Sequence, residues 1–167
     1  VGAALALQRA LARRLHAQGD DGTALAVACA HQLIGFDSRH VDLQVDATEI
    51  DGLGHANNAA YVSWLERCAW NHSVSLGLDL PEYQRLDRAM AIVRHEIDYL
   101  ASAYLGQQLQ VATWILESDH RFKMTRRFQI VRPADGVTLL RALTTFACIE
   151  MSSGKPKRMP VEFVEGY

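Results

Sequence analysis

One long helical pattern constrains this chain more than any other feature. Over residues 59–76, Tyr61, Leu65, Cys68, Ala69, His72 and Leu76 fall on one face of a 3.6-residue repeat. Val62 and Val74 widen that face, and Trp64 and Trp70 add further apolar surface. Gly77 follows, a residue suited to a left-handed helix stop. A helix apolar on several sides has to be covered by other structure. Around it, the segments from residue 40 onward read mainly as strands. Residues 40–47 alternate Val41, Leu43 and Val45 with Asp42, Gln44 and Asp46, a half-buried strand. Strands are predicted again at 90–100, 109–116, 122–131 and 137–149. The last two are joined by a turn, residues 132–136, that ends in Asp135-Gly136. One buried helix and a run of tightly connected strands predict an α+β fold: a curved antiparallel sheet wrapped around a central helix.

The segment ahead of this body has a different texture. Residues 3–17 read as a helix on Ala4, Leu5, Leu7, Leu11 and Leu15. A second helix is predicted over 23–33, with Thr23 as its cap. Residues 1–36 are therefore expected to form an N-terminal helical extension, and 37–167 the main domain. Arg9, Arg13 and Arg14 in an acid-free start also resemble a transit peptide, although the amphipathic pattern favours the helix. The first residue is Val1, as expected of a processed or truncated product.

Bulk properties narrow the function classes. At 167 residues with 49% hydrophobic and 22% charged residues, the chain has the composition of an ordinary soluble domain. A net charge of −2, with no basic run interleaved with aromatics, gives no case for a nucleic-acid partner. No apolar run reaches the ~18–20 residues of a membrane span. Cys29, Cys68 and Cys148 are widely spaced and odd in number. They read as buried thiols of a reducing, cytoplasmic protein, not as a disulfide framework or a metal site. No His, Asp or Glu spacing calls for a metal, and no cofactor is expected.

The chemistry concentrates in DGLGHANNAAY, residues 51–61. Asp51 and His55 stand on a glycine-loosened loop that runs into the long helix, with Asn58 placed to cap it. A carboxylate beside the free N–H groups of a helix start combines a base or nucleophile with anion-stabilising donors. Each residue also has a purely structural role available. Asp51 can close an Asx turn, His55 can brace the loop backbone, Asn57 can do the same, and Tyr61 can pack. Arg126 lies in the apolar phase of Phe122, Met124, Phe128 and Ile130. That requires a bulge between Arg126 and Arg127 or a pairing inside an interface. The basic turn carrying Lys155, Lys157 and Arg158 can bind phosphates or be a solvated charge cluster.

These residues resemble the hotdog fold, and within it the acyl-CoA thioesterases of the 4-hydroxybenzoyl-CoA thioesterase-like family. The resemblance rests on Asp51, Gly54, His55, Asn57, Asn58 and Tyr61, followed by Trp64, Leu65 and Glu66. The run HEIDYL at 95–100 with Gly106, and Gly154, Lys155 and Pro156 with Pro160, extend it over about residues 38–165. Residues 1–36 have no counterpart in it. Gln107 stands where an Asp is common, and Tyr104 is bulkier than the pattern.

The resemblance implies hydrolysis of an acyl-CoA thioester to free acid and coenzyme A. Asp51 would be general base or nucleophile, the Asn58 backbone N–H the oxyanion donor, and His55 an orienting residue. Asn57 and Tyr61 would touch substrate, and Lys155, Lys157 and Arg158 the coenzyme A phosphates. It also implies a homodimer or homotetramer with the site at the subunit boundary. A second hotdog lineage uses a Glu on the central helix, but in a Gly-Gly helix-start motif that is absent here, so Glu66 reads as a helix residue making a salt bridge or a dimer contact. The rival readings are a hotdog enoyl-CoA hydratase or dehydratase, and a non-catalytic acyl-CoA-binding protein.

Overall fold

The computed structural model describes residues 39–167. The helices expected over 3–17 and 23–33, the boundary near residue 36 and Cys29 lie outside the described residues. Within them, strand β1 (Arg39–Gln44) leads through a short 3-10 turn (Ala47–Glu49) and the motif loop into helix α1 (Asn58–Ser75). Helix α2 (Leu80–Leu86) follows, then strands β2 (Arg88–Tyr99), β3 (Gln108–Ser118), β4 (Lys123–Arg132) and β5 (Val137–Glu150), and finally helix α3 (Val161–Gly166). The strands form one five-stranded sheet in the order β1-β3-β4-β5-β2. Every neighbouring pair is antiparallel. This is the α+β architecture expected from the sequence.

The sheet presents one face to α1. Leu43, Leu109, Val111, Phe128, Ile130, Leu140 and Ala142 meet Tyr61, Trp64, Leu65 and Cys68 in one core. Trp64, Leu65 and Cys68 are at most 2% exposed. Burying side chains of this size stabilises by ~1.5–3 kcal/mol each. A second cluster at the far end of α1 joins Leu78, Tyr83, Met124, Phe146 and Phe163. On its outer side α1 leaves Trp70 and Val74 exposed, so the protomer covers the helix less completely than its composition predicts. The helix ends as expected. Gly77 has a φ of +77°, and the Leu78 N–H reaches back to the Ser73 carbonyl.

Several expectations are corrected. The helix cap is Asn57, not Asn58: Asn57 has extended backbone and accepts from the Ala60 N–H, which makes Asn58 the first helical residue. Helices α2 and α3 were not legible, because seven and six residues give too short a window for a 3.6 period. β4 pairs with β5 without a break from Lys123 to Ile130, so no bulge separates Arg126 from Arg127. Arg126 stays in the inward phase and is 1% exposed. His95 lies in an exposed stretch of β2. Among the described residues, no helix is long and apolar enough to cross a membrane.

Candidate active site

The loop from Ile50 to Asn57 is fixed mainly by backbone. Ile50 and Ala56 form an isolated bridge, the Asp51 N–H donates to the His55 carbonyl at 3.0 Å, and Gly54 adopts a φ of +82°. Only glycine takes that conformation without a steric cost. The loop is tied to the sheet by the Ala56 N–H on the Ala103 carbonyl, 2.9 Å. It is tied to the 3-10 turn by Asn57, whose N–H and side-chain amide both donate to the Glu49 carbonyl. The Glu49 carboxylate in turn accepts from the Trp64 indole N–H at 2.7 Å and the Asp46 N–H at 2.8 Å. Glu49 thereby sets the approach of the loop to α1.

Asp51 is held at the mouth of this loop. One carboxylate oxygen accepts from the Leu53 N–H at 2.8 Å, the Asx turn that its sequence allows. The other lies 3.8 Å from His55 Nδ1, beyond hydrogen-bonding distance. The two side chains are 33% and 32% exposed, so the pair is open to solvent. His55 also stands edge-on to the Tyr104 ring, 6.5 Å between centroids. It braces the loop through its carbonyl and leaves its imidazole beside the Asp51 carboxylate.

Asn57 and Tyr61 are engaged internally. The Asn57 side chain spends its carbonyl on the Ala60 N–H and an amide hydrogen on Glu49, which matches loop bracing. Tyr61 is 3% exposed, and its hydroxyl accepts from the Ala103 N–H at 2.8 Å. Asn58 is different. As the first residue of α1 it has an N–H with no intrahelical acceptor, and that N–H donates to no described group. The cap serves Ala60, so the Asn58 N–H remains at the positive end of the helix dipole.

The basic turn is elsewhere. It hangs from the Glu150 end of β5, where Ile149 bridges Pro156, and Glu150 pairs with Arg88 at the start of β2. The motif loop hangs from the opposite end, beyond Tyr99. Twelve strand residues, ~40 Å, separate the two ends. Lys157 is paired with Glu150 at 2.9 Å, and Arg158 lies over the Phe122 ring. Within one protomer, Lys155, Lys157 and Arg158 are not brought to Asp51.

A feature that sequence reading located without explaining lies under α1. Arg126 Nη1 meets His72 Nδ1 at 2.7 Å and Nη2 donates to Ser73 Oγ at 3.1 Å. The guanidinium carbon is 5.2 Å from the Tyr167 ring centroid and 5.9 Å from that of Phe146. Burial holds its pKa below the ordinary arginine value, with the neighbouring tyrosines Tyr167 and Tyr83 opposing that shift. A cavity of about 800 Å³ between α1 and the β2–β5–β4 side of the sheet reaches this group.

The model of the thioesterase-like superfamily matches residues 45–166. No curated protein matches the sequence. Among solved structures, the chain is similar to Slr0204, a 1,4-dihydroxy-2-naphthoyl-CoA thioesterase from Synechocystis. That likeness has 22% identity and a TM-score of 0.70, covering 77% of this chain and 94% of that one. SAV2348 from Staphylococcus aureus, solved in complex with CoA, is 18% identical with a TM-score of 0.73, covering 78% and 82%. YbaW, a probable thioesterase from Escherichia coli, is 23% identical with a TM-score of 0.65, covering 76% and 94%. At these identities the likeness to solved structures is one of fold. With most of its length under the family model and this sheet and helix beneath it, the chain belongs to the thioesterase-like superfamily and has the hotdog fold.

Proposed function

We propose that this protein is an acyl-CoA thioesterase, hydrolysing an acyl-CoA thioester to the free acid and coenzyme A. One observation carries the reading. The Asp51 carboxylate is held by a pinned loop at the start of α1, where the Asn58 N–H has no acceptor among the described residues. A thioester carbonyl oxygen at that N–H gains charge as the tetrahedral intermediate forms, and a donor fixed in advance stabilises it by ~3–4 kcal/mol. As general base, Asp51 takes a proton from water as the water oxygen bonds to the carbonyl carbon. Collapse of the intermediate breaks the C–S bond, and the thiolate of coenzyme A receives the proton. As nucleophile, Asp51 instead forms an anhydride that water opens. The superfamily match, and the CoA bound to SAV2348, support the substrate class.

His55, 3.8 Å from Asp51, orients and polarises the carboxylate in this scheme. A homodimer is supported by β2, which among the described residues pairs only with β5 and leaves Ile92, Val93 and Tyr99 exposed. Antiparallel pairing of two β2 strands about a twofold axis brings the basic turn of one protomer to the Asp51 end of the other. Lys155, Lys157 and Arg158 then contact coenzyme A phosphates across the interface.

The test is Asp51→Ala and Asp51→Asn, assayed for free-thiol release over a panel of acyl-CoAs. Both variants should lose ~10²–10⁴ of kcat while remaining folded. Full activity in either would remove Asp51 from the mechanism. Conversion of an enoyl-CoA without thiol release would place the protein among the hydratases. Single turnover in heavy-oxygen water separates the two chemical routes, because only the nucleophile leaves label in Asp51.

A further inference from the structure

The cavity beneath α1 has a pattern that a purely apolar acyl tunnel would not need. Its helix side includes Val62, Glu66, Ala69 and Ser73, an i, i+4, i+7, i+11 stripe, flanked by Ser63, Leu65, Arg67 and Trp70. Asn58 lies four residues before Val62 and leads that stripe, so the cavity runs along the helix away from the free N–H. On the sheet side, the register puts residues from three strands into rows. Met124, Phe146 and Ile92 form one row that lines the cavity, and Phe128 lines it from the next apolar row, beside Ala142 and Ile97 of the core. Between these apolar rows runs Arg126, Thr144 and His95, a polar row across the floor. Thr144 Oγ1 and His95 Nδ1 are 2.9 Å apart. Arg126, 1% exposed, lies on this floor beneath Ser73, with Met124 and Phe146 lining the cavity beyond it.

The partners of Arg126 are all neutral. For Nη1–H to donate to His72 Nδ1, that nitrogen must be unprotonated. Ser73 Oγ accepts from Arg126 and from the Tyr167 hydroxyl, which lies 2.8 Å from the Tyr83 hydroxyl. Among the described residues no carboxylate pairs with the guanidinium. A buried guanidinium held only by neutral groups retains an uncompensated charge. The apolar end of a long acyl chain placed against it would leave that charge unpaired. A carboxylate there would gain a charge-assisted and potentially bidentate hydrogen bond in a setting of low dielectric.

We propose that this cavity selects an acyl group whose far end carries a carboxylate, and that Arg126 is the residue that recognises it. This rests on the thioesterase reading for the position of the thioester, but the recognition itself does not depend on hydrolysis. It makes Arg126 a specificity residue and leaves the chemistry to Asp51 and the Asn58 N–H. The distance from Asn58 to Ser73, fifteen residues or ~22 Å along the helix, requires a long acyl group.

The experiment compares acyl-CoAs of increasing length, each with and without a terminal carboxylate, on the wild type, Arg126→Met and Arg126→Lys. In the wild type, kcat/KM for the carboxylated member should exceed that of its plain partner by tenfold or more at the longer lengths. Arg126→Met should bring that ratio to one or below, and Arg126→Lys should retain part of it. A wild type that favours plain chains at every length would overturn the proposal, even if Arg126→Met does not fold. So would an Arg126→Met ratio equal to the wild type. Calorimetry with non-hydrolysable thioether analogues of the same pairs keeps the two readings apart. Tighter binding of the carboxylated analogue, lost in Arg126→Met, supports the proposal even in a protein that releases no thiol. Equal binding of both analogues to the wild type sinks it whether or not the thioesterase reading stands.

Discussion

Two adjacent asparagines at the start of α1 divide one task. Asn57 uses its side chain to cap the helix and its extended backbone to end the loop. Asn58, one residue on, contributes only a backbone N–H. This separation allows a clean test of the oxyanion role. Proline is favourable at the first helical position, because the N–H it removes has no helical acceptor. The residue before it is already extended, at φ −70° and ψ 155°, as proline demands. Asn58→Pro should therefore fold with a thermal midpoint near that of the wild type and lose ~10²–10³ of kcat, with substrate affinity changed much less. Wild-type turnover in a folded Asn58→Pro protein would show that the N–H plays no part. The sequence revealed the presence of a cap but not its position. Either asparagine satisfies the preference, and the choice fell to the Glu49 carbonyl, which binds Asn57 twice.

At the scale of elements, short polar turns position the longer pieces. Asp46 caps the 3-10 turn, and hydrogen bonds from the Thr48 N–H and hydroxyl hold its pKa below the usual 3.8. Asp87, in left-handed backbone at φ +51°, ties the end of α2 to the basic turn. Its pKa is lowered by the Ser152 hydroxyl and N–H. Asp135 is lowered by the Arg132 guanidinium across the β4–β5 hairpin. A carboxylate depressed in the folded state contributes stability above its unfolded pKa and loses it as pH falls through the folded value. The thermal midpoint should therefore be level above about pH 5 and drop below about pH 4. Asp87→Asn should lower the midpoint at neutral pH and make the acid drop shallower. An unchanged acid profile in that variant would show that Asp87 contributes nothing to it. The Asp135-Gly136 turn was legible because its chemistry is local. The contact of Asp87 with Ser152, sixty-five positions away, was not.

For the whole molecule, the exposed β2 edge and the distance between the Asp51 loop and the basic turn favour the proposed dimer. Light scattering should give a mass of at least two protomers. An Ile92→Lys, Val93→Glu double variant, charged where β2 leaves its apolar side chains exposed, should shift the protein toward monomer and reduce thiol release. A monomeric wild type with full activity would contradict the shared site.

The division between sequence and structure follows from the range of the interactions. The hydrophobic periods of α1 and the strands, the Gly77 stop and the hairpin turn are set within a few residues, and the sequence alone determined them. It also determined that Asp51 and His55 share a loop at a helix start, since eleven consecutive residues cannot separate far. Arg126 shows the limit. Its inward phase was visible, but a cation among apolar neighbours reads as a bulge or an interface until its partners are known. Those partners are His72 and Ser73, adjacent in the last turn of α1, and Tyr167 just after α3, and only tertiary packing brought them to one guanidinium. The same packing separated the basic turn from the Asp51 loop. Sequence distance records neither the strand order nor which end of the sheet a loop reaches, because both depend on pairings between residues far apart in the chain.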